Sequence, residues 1–566
     1  MKKEDYIREF LNKRGCTTPE ERRAYFDFDE NVLRRVADMC GGKEILDALA
    51  DAAAEQKFVV IYGDYDADGI MASFILYSGL ERLIPGRVKI FINNRFEDGY
   101  SITPESIRKL LELYPDTEVI ITCDNGIAAA EAFESVRERG LTILVTDHHE
   151  QPGQSGPVPG DIPMADEKSL AQMAADEADG IAREEFCGAE LARRVVTELY
   201  DRLGLAEENR DFLDGLYAYS GFATITDSVP MNPANHYVAK RGLEMIRADR
   251  GFFQTLRNES GHAAHRVSAD TVGFYFGPLF NAAGRVAGTA KNALAAPVLY
   301  AMGYEKECAQ AVKSLLSLNE KRKEMCRRED SLAFRMIEEN GWDRDPFILV
   351  AGSEFSEGIN GLTAAHIVNR YGVPAAVLSP VRNDSSLYKG SARSREGFDL
   401  FRSFTSHPGL IKAGGHPMAA GLALKKEDLE EVRALLCRDA EGIVYSEPEA
   451  DFLFTPGSIS LEDVRAIQEA FEALEPFGPG FEPPRICITG EVYPVRPLKE
   501  VHAKMTMQQR SSDGYYIDLI WWNHLEEAQK ITGAGSAGNG FTFMGEPSVN
   551  EYAGRCSIQF KISELR

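Results

Sequence analysis

Four short apolar runs that alternate with helical segments constrain the fold of this chain more than any other feature. Each run is rich in β-branched residues, and the segments between them have the periodicity of amphipathic helices. The runs are FVVIYG (58–63), VKIFINN (88–94), EVIITCDNGI (118–127) and TILVTDHH (142–149). Strands that alternate with helices predict a parallel, doubly wound α/β sheet. We expect YSGFATITD (219–227) to form a fifth strand of this domain.

The 566 residues are too many for one hydrophobic core, and the pattern changes several times along the chain. A stretch without Gly or Pro from 305 to 340 predicts one long, highly charged helix. A second α/β pattern follows it, and a strand-rich segment ends the chain. The predicted segments are a helical leader (1–50), an α/β domain (51–300), a connecting helix (301–342), a second α/β domain (343–440) and a small β-barrel (450–566).

Composition limits the possible classes of function. The net charge of −25 argues against a protein that coats nucleic acid non-specifically, although a local basic groove can still carry a strand. The nine cysteines are scattered singly, which predicts reduced thiols in the cytoplasm rather than disulfides or a zinc site. No apolar run is long enough to cross a membrane, and the N-terminus lacks the apolar region of a signal peptide.

Acidic motifs stand at the C-terminal ends of the predicted strands, the edge where open parallel sheets bind ligands. Several carboxylates held this close repel one another unless cations neutralise them. The residues are Asp64, Asp66 and Asp68 in IYGDYDADG, Asp124 in ITCDNG, Asp147, His148 and His149 in VTDHHE, and Asp227 in TITDSV.

Oxygen ligands with one or two imidazoles suit Mn²⁺ or Mg²⁺ better than zinc. A bridging carboxylate can hold two such ions roughly 3.5–4 Å apart, an arrangement that displaces a phosphodiester oxygen in line. An EF-hand is the alternative for D-x-D-x-D-G, but the twelfth position of that loop is Ile75 instead of Glu. A single aspartate at a strand end is more often a turn former or helix cap. Four such sites, one with adjacent histidines, favour a metal centre.

The motifs GDYDADG, CDNG, TDHH and TITDSV, in this order, resemble motifs I to IV of the DHH phosphoesterase superfamily. Later stretches resemble the RecJ exonuclease family within it, namely FGPLFNAAGRVAG (276–288), KGSARS (389–394), KAGGHPMAAG (412–421) and PFGPGFEPP (476–484). The resemblance covers almost the whole chain past the leader. It implies that the α/β domain is a DHH domain, the second α/β domain a DHHA1 domain and the barrel an OB fold.

The resemblance also implies roles for the acidic motifs. Asp66, Asp124 and Asp227 would hold one metal ion. Asp68, Asp124 and His148 would hold the second, with Asp124 bridging. Asp64 would act as a ligand or support one, His149 would orient the site or meet the scissile phosphate, and Asp147 would fix an imidazole. The chain departs from the family pattern at Tyr62 (usually His), Phe355–Ser356 (usually an aromatic–His pair) and Phe481 (usually Asn).

Other residues are candidates for binding the substrate. Ser391, Arg393 and Ser394 can donate to phosphate, while Gly414, Gly415 and His416 allow backbone and imidazole donors to approach an anion. Asn281 and Arg285 would brace the site or touch phosphate. In the barrel, adjacent aromatics point to opposite faces, so only one of Tyr515/Tyr516 and one of Trp521/Trp522 can stack on bases. The predicted strand path is His502, Lys504, Tyr516 and Trp522. KRK (321–323) and RR (327–328) form either a solvated helix face or part of that path.

The resemblance implies a metal-dependent 5′→3′ exonuclease that degrades single-stranded DNA to nucleoside monophosphates in DNA repair and recombination. A helicase and a single-strand-binding protein are the partners it implies. One alternative is a phosphodiesterase for short RNA or cyclic dinucleotides, but the extra barrel favours a longer substrate. A non-catalytic replication scaffold is the alternative of another class, and the intact set of acidic and histidine ligands argues against it.

Overall fold

The computed structural model describes residues 1–96, 99, 101–137, 139–151, 162–179, 183–382, 384–445, 449–455, 457–499, 501–508, 516–532, 540–552 and 555–566. They form two compact units. The large unit comprises Arg34–Asp227 and Arg241–Glu447, and the small unit comprises Met1–Leu33, Ser228–Lys240 and Pro448–Arg566. Residues 1–50, predicted as one helical leader, therefore divide between the two units after Leu33. Their helices are α1 (Lys3–Lys13), α2 (Pro19–Arg23) and the first part of α3 (Gly42–Glu55).

A five-stranded parallel sheet forms the first half of the large unit, with strand order β2-β1-β3-β4-β5. Its strands are β1 (Val59–Gly63), β2 (Val88–Ile92), β3 (Val119–Cys123), β4 (Thr142–Thr146) and β5 (Met164–Ala165). The helices that alternate with them are α4 (Ala67–Leu83), α5 (Pro104–Leu113), α6 (Ala130–Arg137) and α7 (Leu170–Asp179). Every residue of β1 and β3 is buried, as expected for strands covered on both faces. The predicted parallel α/β domain is confirmed.

A group of helices completes this domain. They are α8 (Gly188–Arg202), α9 (Arg210–Gly215), α10 (Tyr217–Thr226), the part of α11 (Pro233–Ala248) that follows Lys240, α12 (Phe252–Ser260), α13 (Gly277–Ala282) and α14 (Lys291–Ala301). Two π-helical segments, Thr271–Phe276 and Ala283–Ala287, flank α13.

The predicted fifth strand over 219–227 is wrong, because these residues belong to helix α10. Short apolar runs do not distinguish a buried strand from a buried helix. Small residues decide the packing here, since a Cβ on Gly242 of α11 would lie 2.5 Å from the Cα of Gly221. A glycine on each helix at the point of contact allows α10 and α11 to approach so closely.

Helix α15 (Glu305–Asn340) has 36 residues and confirms the predicted long helix. It ends at Gly341, which has the left-handed φ of 72° that favours glycine after a helix.

A mixed sheet of order β6-β7-β8-β10-β9 forms the second half of the large unit. Its strands are β6 (Ile348–Ala351), β7 (Ala375–Val381), β8 (Asp384–Arg393), β9 (Lys412–Gly415) and β10 (Ala419–Lys425), and its helices are α16 (Asn360–Tyr371), α17 (Leu400–Thr405) and α18 (Leu429–Asp439). Two apolar clusters cover the sheet: Phe347 and Phe404 belong to one, while Ala333 of α15 and Ile367 of α16 belong to the other.

The small unit is built on a six-stranded sheet of order β11-β12-β13-β14-β16-β15, and the pairing of β12 with β15 closes its last five strands into a barrel. Its elements are β11 (Phe452–Phe454), α19 (Leu461–Leu474), β12 (Ile486–Leu498), β13 (His502–Gln508), β14 (Tyr516–Trp521), α20 (Leu525–Ile531), β15 (Gly540–Tyr552) and β16 (Arg555–Leu565). The ring of Phe10 in α1 packs edge-on against Phe471 and Phe481, so the first residues of the chain complete the core of this unit. The predicted OB fold is confirmed.

Within the described residues, no helix combines the length and the apolar character that crossing a bilayer needs.

Candidate metal centre

The predicted metal ligands meet at the carboxyl edge of the parallel sheet. Residues 64–68 follow β1, Asp124 follows β3, and residues 147–149 follow β4. Asp227 reaches the same edge from the C-terminal end of helix α10, not from a strand.

His148 lies at the middle of the cluster. Its Nε2 is 3.0 Å from Asp124 Oδ1, 3.5 Å from Asp68 Oδ2 and 3.7 Å from Asp227 Oδ2. Three sets of side chains each bring their ligand atoms within 4.8 Å of one another: Asp64, Asp66 and Asp124; Asp68, His148 and Asp227; and Asp124, His148 and His149. The structure thus places Asp227 with Asp68, whereas the family resemblance groups it with Asp66.

Backbone amides hold the first acidic motif in place. The Asp66 carboxylate caps α4 and accepts from the N–H groups of Asp68 and Gly69, each at 3.1 Å. Asp68 is 1% exposed and accepts from Gly188 N at 2.6 Å and Ala189 N at 2.8 Å, the first amides of α8. A helix N-terminus favours negative charge, so α8 stabilises this carboxylate.

The structure reveals a role for Gly188 that sequence reasoning missed. A Cβ on this residue would lie 2.7 Å from the Cβ of Asp124. Asp124 itself has φ 58°, a left-handed conformation that is uncommon for residues other than glycine. The only signal in the sequence is a glycine that opens a helix, which many unrelated helices share.

Among the residues that the structure describes, no hydrogen-bond partner is present for two buried atoms of the centre, namely Asp124 Oδ1 and His148 Nδ1. The 3.0 Å approach of His148 Nε2 to Asp124 Oδ1 lacks hydrogen-bond geometry, so the two atoms converge without satisfying each other. Buried polar atoms that converge in this way have the arrangement that a shared cation satisfies. The donor set fits a hard divalent metal ion.

The shifted pKa values of these side chains also indicate a site that a divalent metal ion would stabilise. Burial and, after it, the charge of the neighbouring Asp66 raise the pKa of Asp68 to about 6, against the opposing effect of the Ala189 and Gly188 amides. Burial lowers the pKa of His148 to about 3, so this imidazole is neutral and can offer a lone pair. Burial, followed by the charge of adjacent carboxylates, also raises the pKa of three others well above the usual range: Asp64, Asp124 and Asp227.

Asp147 does not face the cluster as a ligand but fixes His149. It accepts from His149 Nδ1 at 2.8 Å and from the backbone N–H groups of Ile127, His148 and His149 at 2.9, 2.8 and 3.2 Å. Burial lowers the pKa of His149, but the charge and hydrogen bond of Asp147 outweigh burial and raise that pKa to about 10. His149 is therefore a half-exposed, protonated donor beside the ligands.

Asp166 is a further acidic residue that sequence reasoning missed. It follows β5 at the same sheet edge, is 1% exposed, and has a buried Oδ2 without a hydrogen-bond partner in the structure. Burial and the charge of Asp147 raise its pKa well above the usual range. Strand β5 has only two residues, too few to give a sequence pattern.

At the three places where the chain departs from the family pattern, the structure shows what the side chains contact instead. Tyr62 is buried, and its hydroxyl contacts Asn93 Oδ1 and lies 2.8 Å from Ser106 Oγ, so it belongs to the domain core. Phe355 packs in the core between α15 and the second sheet, and Ser356 Oγ donates to Glu329 Oε1 at 2.7 Å. In the small unit, Phe481 is fully buried and stacks on the Tyr25 ring.

A group of arginines lies beside the metal centre. Asn281 Oδ1 accepts from Ala67 N at 2.8 Å and so ties α13 to the first acidic motif. Burial and, after it, the charges of Arg95, Arg393 and Arg322 together lower the pKa of Arg285 to about 10. The Arg95 guanidinium also lies 5.3 Å from the centre of the Tyr65 ring, next to Asp64 and Asp66. Sequence reasoning missed Arg95 because an isolated arginine carries no pattern. We call Arg95, Arg285 and Arg393 the arginine group.

The predicted donors of the second sheet divide into two kinds. Ser391 and Arg393 lie on β8 against the start of α16, where a Cβ on Gly361 would lie 2.9 Å from Arg393 Nη2. Ser394 Oγ instead donates to the backbone carbonyl of Phe398 at 2.7 Å, so its hydroxyl has a partner within its own loop.

The glycines of AGGH reach the loop that carries the histidines. Gly414 and Gly415 end β9, and Gly415 has φ 131°, which a side chain would strain. His416 Nδ1 lies 3.7 Å from Glu150 Oε2, and Glu150 directly follows His149.

In the small unit, the barrel presents part of the predicted strand path. Trp521, the last residue of β14, is 4% exposed, whereas Trp522 lies in the turn after the strand and is 50% exposed. His502 packs edge-on against Trp522 with ring centres 4.7 Å apart, while Lys504 pairs with Asp518 at 2.7 Å. Tyr515 lies outside the described residues, as does the side chain of Tyr516, whose backbone begins β14.

Comparison with known proteins agrees with this architecture. Residues 58–218 match the DHH family, N-terminal domain, residues 345–441 the DHHA1 domain, and residues 451–564 the RecJ OB domain. The fold and the acidic cluster thus define a DHH-type protein with a DHHA1 domain and an OB barrel.

The chain is 30% identical over 572 residues to the single-stranded-DNA-specific exonuclease RecJ of Bacillus subtilis, covering 99% of this chain and 67% of that protein. The crystal structure of RecJ in complex with Mn²⁺ from Thermus thermophilus matches with TM-score 0.76 and 21% identity, covering 99% of this chain and 76% of that one. The complex of the same protein with Mg²⁺ matches with TM-score 0.72 and 21% identity, covering 99% and 74%. The chain belongs to the RecJ family.

Proposed function

We propose that this chain is a metal-dependent exonuclease that degrades single-stranded DNA in the 5′→3′ direction to nucleoside monophosphates. The observation that carries the proposal is the convergence of carboxylates and His148 at one sheet edge, beside the arginine group. Carboxylates bind metal ions and repel phosphate, whereas guanidiniums bind phosphate. A site with both therefore suits a phosphodiester held next to a metal ion. The direction of degradation rests on the family resemblance.

We propose that two ions of Mn²⁺ or Mg²⁺ bind the centre, held by Asp64, Asp66, Asp68, Asp124, His148 and Asp227. The RecJ structures from Thermus thermophilus with each of these metals support this choice. Such a pair, when bound, supplies an activated water and stabilises charge on the phosphate. The orphaned oxygen of Asp124, which lies within reach of two ligand sets, suits it for the bridging position.

The remaining residues of the centre position the substrate. His149, held protonated by Asp147, can donate to a phosphate oxygen or to the leaving oxygen. Arg285 and Arg393 can bind non-bridging oxygens of the scissile or adjacent phosphate. A Cβ on Gly414 would meet no atom within 4 Å, so the backbone there leaves room for an approaching anion.

The OB barrel supports a polymer as the substrate. Trp522 exposes half of its surface beside His502, which suits stacking on bases without sequence preference. A phosphodiesterase for short RNA or cyclic dinucleotides is the alternative, but so short a substrate would not need the barrel for binding. A replication scaffold would not need the complete set of metal ligands. By resemblance, we place the enzyme in the cytoplasm, in DNA repair and recombination, with a helicase and a single-strand-binding protein as partners.

The test uses single-stranded DNA labelled at either end, incubated with the purified full chain and Mn²⁺. We expect the 5′ label to be released at once as a mononucleotide, while the 3′ label stays on shortening strands and blunt duplex resists. Asp124→Asn keeps the size of the side chain and should abolish the release. Intact strands together with cleaved dinucleotides would support the alternative phosphodiesterase. Survival of both substrates would leave the scaffold as the better explanation.

A further inference from the structure

A second basic site lies between helices α15 and α16. A pocket of about 250 Å³ is lined by residues of these two helices: Arg322, Lys323, Cys326, Arg327, Asp330, Leu362 and His366. Arg322, Cys326 and Asp330 are spaced four residues apart, so they share one face of α15. Leu362 and His366 have the same spacing on α16. We call this set the α15–α16 pocket.

Internal ion pairs engage only some of the cationic side chains that the structure describes in this pocket. Lys323 pairs with Glu320 at 2.8 Å, and Asp330 is engaged by His366 at 2.7 Å. Among the residues that the structure describes, Arg322 and Arg327 form no ion pair, and Arg322 Nε is buried without a hydrogen-bond partner. Two guanidiniums thus remain available in a chain whose net charge is −25.

The histidine of the pocket is held as a donor. Asp330 Oδ2 accepts from His366 Nδ1, which fixes the ring and leaves Nε2 for another partner. The hydrogen bond that His366 donates to Asp330 also raises the pKa of His366, which favours the protonated form. A fixed histidine ring of this kind beside two guanidiniums is a suitable set of groups to receive a phosphate.

The pocket lies near Arg285 of the arginine group. The π-helical segment that carries Arg285, Ala283–Ala287, packs against α15. A Cβ on Gly284, the neighbour of Arg285, would lie 2.9 Å from Tyr65 Cδ2, and Tyr65 stands between two of the acidic ligands in the sequence. Arg285 therefore lies between the metal centre and the α15–α16 pocket, and the charge of Arg322 also lowers the pKa of Arg285. A solvated helix face explains Lys321 and Arg328, but it does not explain a pocket in which Arg322 Nε is buried without a hydrogen-bond partner among the described residues.

We propose that the α15–α16 pocket binds a phosphate group of the single-stranded substrate at a nucleotide neighbouring the one at the metal centre. This inference rests on the proposed function. The ligand is a backbone phosphate, bound by charge and without base recognition. A free mononucleotide has the same phosphate chemistry, so the experiment distinguishes the two.

The experiment compares two double variants of the full chain that remove equal charge from α15. The pocket variant, Arg322→Ala with Arg327→Ala, removes both guanidiniums that line the pocket. The control variant, Lys321→Ala with Arg328→Ala, removes two cations that lie outside it. Binding of a fluorescent thymidine oligonucleotide is measured in EDTA over a range of KCl concentrations. Hydrolysis of a dinucleotide with Mn²⁺ is measured with and without deoxyadenosine monophosphate.

We expect the pocket variant to bind the oligonucleotide more weakly than the control variant. The slope of log affinity against log salt should decrease by roughly 0.7, the value for one phosphate contact on a single strand. Dinucleotide hydrolysis should match wild type, which also shows that the variant folds.

Equal affinities and slopes for the two variants would overturn the inference while leaving the proposed function intact. Unchanged strand binding with lost inhibition by deoxyadenosine monophosphate would assign the pocket to free mononucleotides instead. A wild-type chain that neither binds nor cleaves DNA would refute the proposed function itself.

Discussion

Gly188 has no side chain, and this allows the start of α8 to pack against Asp124 of the candidate metal centre. The substitution Gly188→Ala tests this packing directly. The added Cβ would lie 2.7 Å from Asp124 Cβ and 3.0 Å from Asp124 Cα. Ordinary carbon–carbon contacts begin at about 3.5 Å. Either Asp124 or the start of α8 must therefore move by roughly 0.8 Å, the difference between these distances. Moving α8 also weakens the two amide hydrogen bonds to Asp68.

A shift of this size has different consequences for stability and for activity. Overpacking a well-packed site costs roughly 1–3 kcal/mol, which a large domain tolerates. Misplacing a reacting group by about 1 Å costs about 100-fold in rate. We therefore expect kcat/KM on single-stranded DNA to fall by roughly 10- to 100-fold while the chain remains folded.

Steady-state hydrolysis, thermal unfolding and Mn²⁺ titration of the same preparation provide the measurement. Gly215→Ala is the matched control, since its Cβ would meet no atom within 4 Å at the end of α9. The control should retain wild-type activity and stability. Wild-type kcat/KM in Gly188→Ala would refute the argument that this glycine positions Asp124.

Three further outcomes follow from the electrostatics and burial. The folded-state pKa of Asp68 is raised from 3.8 to about 6, so its contribution to stability is present below about pH 4 and lost as pH rises through about 6. In EDTA, Tm should therefore fall as pH rises from 5 to 7, Mn²⁺ should reverse the trend, and a pH-independent Tm would contradict it. Asp147→Asn removes the charge that keeps His149 protonated, so the alkaline limb of the kcat profile should move to lower pH; an unmoved limb would exclude His149 as a donor. Trp522→Ala should weaken strand binding by roughly 1–3 kcal/mol with little change in Tm, whereas Trp521→Ala should cost roughly 3–5 kcal/mol of stability; the reverse pattern would contradict the assignment of the exposed face.

The sequence predicted the parallel sheet because its strands are β-branched runs separated by helices of clear periodicity. It also predicted the acidic cluster, since the carboxyl ends of adjacent parallel strands must meet at one edge. The segment 219–227 was assigned the wrong element because a short apolar run fits both a buried strand and a buried helix. Asp227 still reaches the centre, because a helix end can deliver a carboxylate to the same edge.

The residues that sequence reasoning missed share one property, which is that their importance depends on what they approach in space. Arg95 is a single arginine whose charge acts on Arg285 across the fold. Gly188 matters through its distance from Asp124, and Asp166 follows a strand too short to recognise. Propensity and spacing describe neighbours along the chain, so contacts of this kind become visible only when the coordinates are known.

The most direct test of the proposed binuclear metal centre is the number of Mn²⁺ ions bound per chain, measured by calorimetric titration together with hydrolysis of single-stranded DNA. Two ions per chain, with activity that appears only as the second binds, is the predicted result. Asp124→Asn should lose both the second ion and the activity. A single ion that supports full activity, or two ions whose binding is unaffected by Asp124→Asn, would contradict a centre bridged by Asp124.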